Sequence, residues 1–166
     1  GQKCSACSRA YISRSVWDDI KDKLTSEING LTCGQIDDFK NFMGALIDQT
    51  SFTRLSDVLR IIADDPEIEI LAGGKADDEI GYFIDPTLVV SNNPYNKVFF
   101  NEYFGPILAI HVFPDDKYEN ILEIIEQTSP YALTGSIFSE NEVITASSLD
   151  KLRNAAGSMN VNDKPT

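Results

Sequence analysis

Ile107-Leu108-Ala109-Ile110-His111-Val112-Phe113 is apolar at every position except His111. Strict alternation would mark a strand with one wet face, whereas an unbroken apolar run marks a strand covered on both faces, as in an α/β sheet. The sequence on either side repeats the same logic. Downstream, Tyr118, Ile121, Leu122 and Ile125 are spaced to bury one side of a helix, Leu133 to Phe138 reads as a strand, Glu142 to Leu152 as a helix with a weaker stripe, and Ser158 to Val161 as a final strand. Upstream, the extended stretch Tyr82 to Val90 is broken at Pro86, and Ile68 to Leu71 runs into a Gly73-Gly74 turn. A helix over Phe52, Leu55, Val58, Leu59 and Ile62 keeps Arg54 and Asp57 in water and is closed by Pro66. Before it, Ala10 to Ile12 is short and apolar. Ser15 followed by Asp18 reads as a capping box, opening a helix with the stripe Val16, Ile20 and Leu24. Asn92 to Asn101 reads as a loop. The alternation predicts a layered α/β fold with a largely parallel sheet, in one domain over residues 1–166.

Composition bounds what such a domain can do. With 42% hydrophobic and 24% charged residues over 166 positions, the chain has enough apolar mass for one core and is not a disordered polymer. Its 14 Lys and Arg against 26 Asp and Glu leave a formal charge of -12, which repels phosphate backbones and anionic lipid, so no nucleic-acid partner is expected. No apolar run approaches the ~20 residues that span a bilayer, and no membrane association is expected. Cys4, Cys7 and Cys33 are too few and odd in number for a disulfide scaffold and suit a reducing compartment, with at least one thiol free. The chain opens on Gly1 without an initiator Met and closes on the turn-like Asn162-Asp163-Lys164-Pro165-Thr166; these ends predict a piece of a longer protein.

The opening Gly1-Gln2-Lys3-Cys4-Ser5-Ala6-Cys7-Ser8-Arg9 sets a cysteine among small residues that allow close approach of a substrate. By itself, Cys4-x-x-Cys7 equally suggests a redox pair or half a zinc site. Zinc needs two more ligands, and Cys33 with the single His111 makes an irregular set, so no metal is expected. No Gly-x-Gly-x-x-Gly occurs, so a complete dinucleotide site is not encoded in this stretch.

Three stretches taken together carry a resemblance: Gly1-Gln2-Lys3-Cys4, Gly81-Tyr82-Phe83-Ile84-Asp85-Pro86-Thr87, and Asn101-Glu102-Tyr103-Phe104-Gly105-Pro106. They resemble the aldehyde dehydrogenase superfamily, in which Gly-Gln-x-Cys carries the nucleophile and Glu-x-Phe-Gly-Pro carries the carboxylate that holds the nicotinamide ribose. The resemblance places the nucleophile at Cys4 and cofactor contacts at Glu102 and Phe104; Asn101 stands where many members have a second acid. Gly1 to Arg9, Leu71 to Phe83, Phe113 to Tyr118, Leu133 to Ser139 and Leu152 to Lys164 further resemble the Δ1-pyrroline-5-carboxylate (glutamate-γ-semialdehyde) dehydrogenases. Pro114-Asp115-Asp116-Lys117-Tyr118 and Leu152-Arg153-Asn154-Ala155-Ala156-Gly157 are the most distinctive of these. The resemblance implies a three-layer aldehyde-dehydrogenase-like catalytic domain and an NAD-dependent oxidation of glutamate γ-semialdehyde to glutamate in proline degradation. It also implies a homo-oligomeric parent, in the mitochondrial matrix or, alternatively, the bacterial cytoplasm. The cofactor domain, an oxyanion donor and a water-activating glutamate would precede Gly1, and the rest of the aldehyde-anchoring loop would follow Thr166. Alone, the chain is then expected to be inactive and to bind no appreciable NAD. A non-catalytic assembly or binding module and another aldehyde dehydrogenase subfamily are the alternative readings.

That chemistry explains the residue types. A thiolate adds to an aldehyde to give a thiohemiacetal, hydride transfer leaves a thioester, and water releases the acid. If Cys4 opens a helix, its backbone N–H can face the developing oxyanion, and Cys7, one turn on, packs behind as a small core residue. Cys33 is expected to have no role. A carboxylate at Glu102 can accept both ribose hydroxyls while Phe104 packs beside the ring and Gly105-Pro106 fixes the loop. His111 is expected to be a satisfied core or edge histidine, Asp115 and Asp116 turn and N-cap residues, and Asp77-Asp78-Glu79 a solvated turn. Asn160, Asn162 and Lys164 lead into the segment that shapes the aldehyde pocket in the resembled family.

Overall fold

The structure is a computed structural model that describes residues 1–164. Pro165 and Thr166, the end of the expected closing turn, lie outside the described residues. In chain order the elements are β1 (Arg9–Ser13), α1 (Arg14–Asn29), α2 (Gln49–Asp64), β2 (Ile68–Ala72), β3 (Ala76–Asp77), β4 (Phe83–Ile84), β5 (Thr87–Ser91) and α3 (Lys97–Phe100). There follow β6 (Ile107–Phe113), a 3-10 turn (Asp115–Lys117), α4 (Tyr118–Thr128), β7 (Thr134–Ile137), α5 (Glu142–Lys151) and β8 (Ser158–Val161).

The main sheet has the order β1-β6-β5-β2. β6 pairs in parallel with β1 and with β5, so the apolar run is a central strand, and only β2, against β5, is antiparallel. Successive side chains on a strand point to opposite faces, and both faces are covered. Ile107 and Ala109 of β6 and Val89 of β5 pack with Phe52, Leu55, Leu59 and Ile62 of α2. Ile110 and Val112 of β6 with Leu88 and Val90 of β5 pack with Trp17 of α1. This is the helix–sheet–helix layering expected from the sequence. A smaller parallel pair, β7 and β8, covers its apolar side with Leu122 of α4 and with Leu152, while Tyr118 Oη shares a hydrogen bond with Ser148 Oγ at 2.7 Å. The two sheets are tied by Arg9 Nη2 donating to the Tyr131 carbonyl at 2.9 Å and Tyr11 Oη donating to Thr128 Oγ1 at 3.1 Å. Among the described residues no helix is long and apolar enough to cross a membrane.

Several local expectations change. The helix after β1 starts at Arg14, with Ser13 as N-cap making no side-chain cap, so the Ser15 to Asp18 capping box is not formed. Instead Asp115, reaching from the 3-10 turn, accepts the Ser15 backbone N–H (3.3 Å to Oδ2) and its hydroxyl. The free N–H groups of a helix start donate to any well-placed carboxylate, whatever its distance in sequence. The buried stripe of α1 is set by Trp17, 3% exposed, with Ile20, Leu24 and Ile28, while Val16 is 49% exposed. Tryptophan offers the larger apolar area and turns the helix toward itself. Within the expected loop 92–101, Asn96 caps the short helix α3 through Val98 N–H (2.9 Å), and Phe99 is buried. Asp77 belongs to the two-residue strand β3, and its Oδ1 accepts Glu79 N–H at 2.9 Å, so the acidic turn is ordered but exposed. Pro86 separates β4 from β5, and α2 ends before Pro66, as the sequence indicates.

Candidate active site

The first eight residues fold as turns. Lys3 N–H donates to the Gly1 carbonyl (2.9 Å) and Ala6 N–H to the Lys3 carbonyl (3.0 Å), leaving Cys4 and Ser5 at the corners of a turn with Cys4 exposed. No helix starts at Cys4; small, hydroxylated residues here favour a turn over helix nucleation. Cys7 is likewise exposed rather than part of the core, because the chain does not complete the helical turn that would carry it inward. Its thiol faces the Arg9 carbonyl at 3.5 Å; crowding of the sulfur by protein raises its pKa, opposed by that hydrogen bond and by the Arg9 charge.

Glu102, Phe104 and their neighbours form the second component. Glu102 is exposed, and its Oε1 accepts Phe104 N–H at 3.0 Å, folding the carboxylate over its own loop. Phe104 sits at φ 49, a left-handed conformation that costs a non-glycine residue energy and turns its ring outward, 41% exposed. Three anchors impose that conformation. Arg54 Nη1 on α2 donates to the Tyr103 carbonyl at 2.6 Å, Gly105 lies against Leu55, and Thr87 N–H donates to the Pro106 carbonyl at 2.8 Å.

The two components touch. A Cβ on Gly1 would overlap the Gly105 carbonyl, so the backbones of the cysteine stretch and the Glu102 loop are in direct contact, closer than any side chain at position 1 permits. Gln2 Oε1 accepts Ile47 N–H at 2.9 Å, and Leu46 N–H donates to the Tyr82 carbonyl at 2.8 Å, which brings in the third quoted stretch. Arg54 and the Leu46-Ile47 backbone complete the support; Arg54 reads in sequence only as a wet position on a helix, and Leu46-Ile47 carries no signal of its own.

Other sequence candidates fall elsewhere. His111 is 6% exposed; its Nδ1–H donates to the Ser91 carbonyl at 3.0 Å, its ring packs against Tyr11 and Phe99, and burial lowers its pKa, so it is the satisfied core histidine expected. Cys33 is half-buried with its sulfur 3.9 Å from the Ile84 carbonyl. Among the described residues no group of His, Cys, Asp and Glu could hold a metal ion. Asp115 caps α1 and Asp116 pairs with Lys117 at 3.3 Å, so they do not act as a carboxylate pair. Asn162, at φ 52, joins the ends of the small sheet, with Ser139 N–H donating to its Oδ1 at 2.9 Å, and Asn160 Nδ2 donates to the Gly135 carbonyl at 3.2 Å. A hollow of about 500 Å³ between the end of α1, β2 and Pro86 is lined by none of Cys4, Glu102 and Phe104.

The aldehyde dehydrogenase family model matches residues 1–166. The chain is 48% identical over its full length to a probable delta-1-pyrroline-5-carboxylate dehydrogenase of Schizosaccharomyces pombe, covering 31% of that protein. It is 45% identical to the mitochondrial delta-1-pyrroline-5-carboxylate dehydrogenase of Dictyostelium discoideum, covering 30%. A solved delta-pyrroline-5-carboxylate dehydrogenase from Mycobacterium tuberculosis bound with NAD superposes with a TM-score of 0.92 at 44% identity, over 100% of this chain and 30% of that one. The chain thus spans about 30% of the length of these relatives. With its whole length matched in both sequence and fold, the chain belongs to the aldehyde dehydrogenase family.

Proposed function

We propose that this chain is the thiol-bearing catalytic domain of a longer NAD-dependent enzyme that oxidises glutamate γ-semialdehyde to glutamate, with Cys4 as nucleophile and Glu102 and Phe104 as contacts at the nicotinamide end of the cofactor. The observation that carries this reading is the contact of Gly1 with Gly105, which sets the exposed thiol stretch beside the exposed carboxylate and ring. The names of the relatives support the substrate and, for Dictyostelium, a mitochondrial location; the mitochondrial matrix and a homo-oligomeric parent belong to the same proposal.

The residues present fit only one end of the cofactor. An exposed carboxylate suits ribose hydroxyls and the outward ring of Phe104 suits a flat heterocycle, whereas no glycine-rich phosphate cradle is present in the sequence. When bound, NAD supplies the hydride acceptor. Cys4, as thiolate, adds to the aldehyde carbon; the exposed turn gives the substrate access, and loss of hydride from the resulting adduct would leave a thioester that water cleaves. Glu102 orients the acceptor, and the anchors on Tyr103 and Pro106 hold that orientation.

Assay of the longer protein with pyrroline-5-carboxylate and NAD tests the proposal. Cys4→Ser should abolish oxidation while sparing NAD binding, and Glu102→Gln should still form a covalent adduct but slow NADH formation. If Cys4→Ser keeps turnover within about tenfold of the parent, a loss under ~1.4 kcal/mol, Cys4 is not the nucleophile.

A further inference from the structure

We propose that Asn96 is a positioning residue for Glu102, clamping the segment before it to the end of α2 and so fixing where the carboxylate meets the cofactor. This role rests on the reading of Glu102 as a nicotinamide-ribose contact. Asn96 is buried, and its amide is used on both sides. Its Oδ1 accepts Val98 N–H at 2.9 Å, which starts α3, while its Nδ2 donates to Asp65 Oδ2 at 3.0 Å and to Glu67 Oε2 at 3.1 Å. Asn93 Nδ2 donates to the same Glu67 oxygen at 2.9 Å, and Asp65 Oδ1 accepts Glu67 N–H at 2.9 Å. The Asn96 amide, with Glu67 N–H, holds the Asp65 carboxyl below the ordinary carboxylate range, so the clamp is charged at neutral pH. Only an amide offers an acceptor on one side and donors on the other; an aspartate here would set a third carboxylate against two.

The path from this clamp to Glu102 is short. α3 runs from Lys97 to Phe100, directly before Asn101 and Glu102, and is seated by the buried Val98 and Phe99. Ser129 Oγ donates to the Phe100 carbonyl at 3.0 Å, and Asn101 N–H (3.3 Å) and Tyr103 Oη (3.4 Å) both donate to the Lys97 carbonyl. Asp65 caps the C-terminal end of α2, whereas Arg54, in the first half of that helix, holds the Tyr103 carbonyl. At a helical rise of ~1.5 Å per residue these two points stand roughly 16 Å apart. The segment from Asn96 to Tyr103 is therefore fastened to one helix at both ends, and Glu102 lies between the fastenings. Releasing the Asn96 end lets α3 shift and carries the carboxylate with it, which misorients the hydride acceptor without touching the thiol.

Calorimetry with NAD and single-turnover kinetics of the longer enzyme test this. Asn96→Asp should weaken NAD binding and slow NADH formation several-fold, while the Cys4 adduct with aldehyde forms at the parent rate and amplitude. A loss of folded protein alone would lower adduct and NADH together. Asn96→Asp with Asp65→Asn exchanges donor and acceptor across the clamp while the exposed Glu67 turns to water, and should regain most of both losses. In a Glu102→Gln background, Asn96→Asp should add no further loss, because both changes act through one carboxylate. Additive losses, or a parent-like Asn96→Asp beside an impaired Glu102→Gln, overturn the proposal alone; a parent-like Glu102→Gln overturns the reading of the site and the proposal with it. Should Asn96→Asp fail to fold, Asp65→Asn breaks the clamp from the other side with the same losses expected, and parent-like binding and rate in that variant overturn the proposal.

Discussion

Burial acts differently on the thiols and on His111, and both effects are measurable. It raises the pKa of Cys7 and of Cys33, so near neutral pH each holds less thiolate than an ordinary cysteine. Brief iodoacetamide treatment followed by peptide mapping should therefore label the exposed Cys4 first; faster labelling of Cys33 would contradict it. For His111, the folded-state pKa lies below the ordinary value of 6.5, so the unfolded chain binds the proton more readily. Its contribution to stability is complete above pH ~6.5 and is lost as pH falls through the lower folded value. Urea unfolding from pH 7 to pH 5 should show this decline, and His111→Gln should flatten it. A slope unchanged in the variant would assign the decline to other groups.

At the scale of elements, two contacts between distant parts of the chain set the geometry. Asp115 terminates α1 from another element, so Asp115→Ala should lower the thermal midpoint, and Ser15→Ala should lower it less because the Ser15 backbone N–H remains. Equal midpoints for Asp115→Ala and the parent would dismiss the cap. Gly105→Ala tests the contact with α2: the new Cβ would stand 2.5 Å from Cδ1 of the fully buried Leu55. Overpacking of this kind costs about 1–3 kcal/mol, and Leu55→Ala about 2–5 kcal/mol through the cavity it leaves. Chemical denaturation of both variants measures these costs, and a neutral Gly105→Ala would show that the loop yields freely.

For the whole molecule, the charge of -12 and the single-ended fit to the cofactor lead to the same expectation. Glu102 and Phe104 reach only the nicotinamide end, and an acidic surface disfavours the pyrophosphate, so calorimetry of the chain with millimolar NAD should show no saturable binding. Micromolar affinity would mean that the chain holds a phosphate site of its own.

The sequence by itself determined the order of the longer strands and helices, though not the short α3 and β3, together with the burial of Ile107–Phe113 on both faces and the breaks at Pro66 and Pro86, because each follows from local periodicity or from proline's missing N–H. It also named Cys4, Glu102 and Phe104 through stretches that resemble a family. What it misread depended on partners far away in the chain. The cap of α1 comes from Asp115, the burial of Trp17 from the sheet beneath it, and the exposure of Cys7 from a turn that never becomes a helix. Only the tertiary structure decided that Gly1 rests on Gly105 and that Arg54 holds the Tyr103 carbonyl, since contacts between residues this far apart leave no periodic trace; they arise from the packing of α2 and the sheet around one loop.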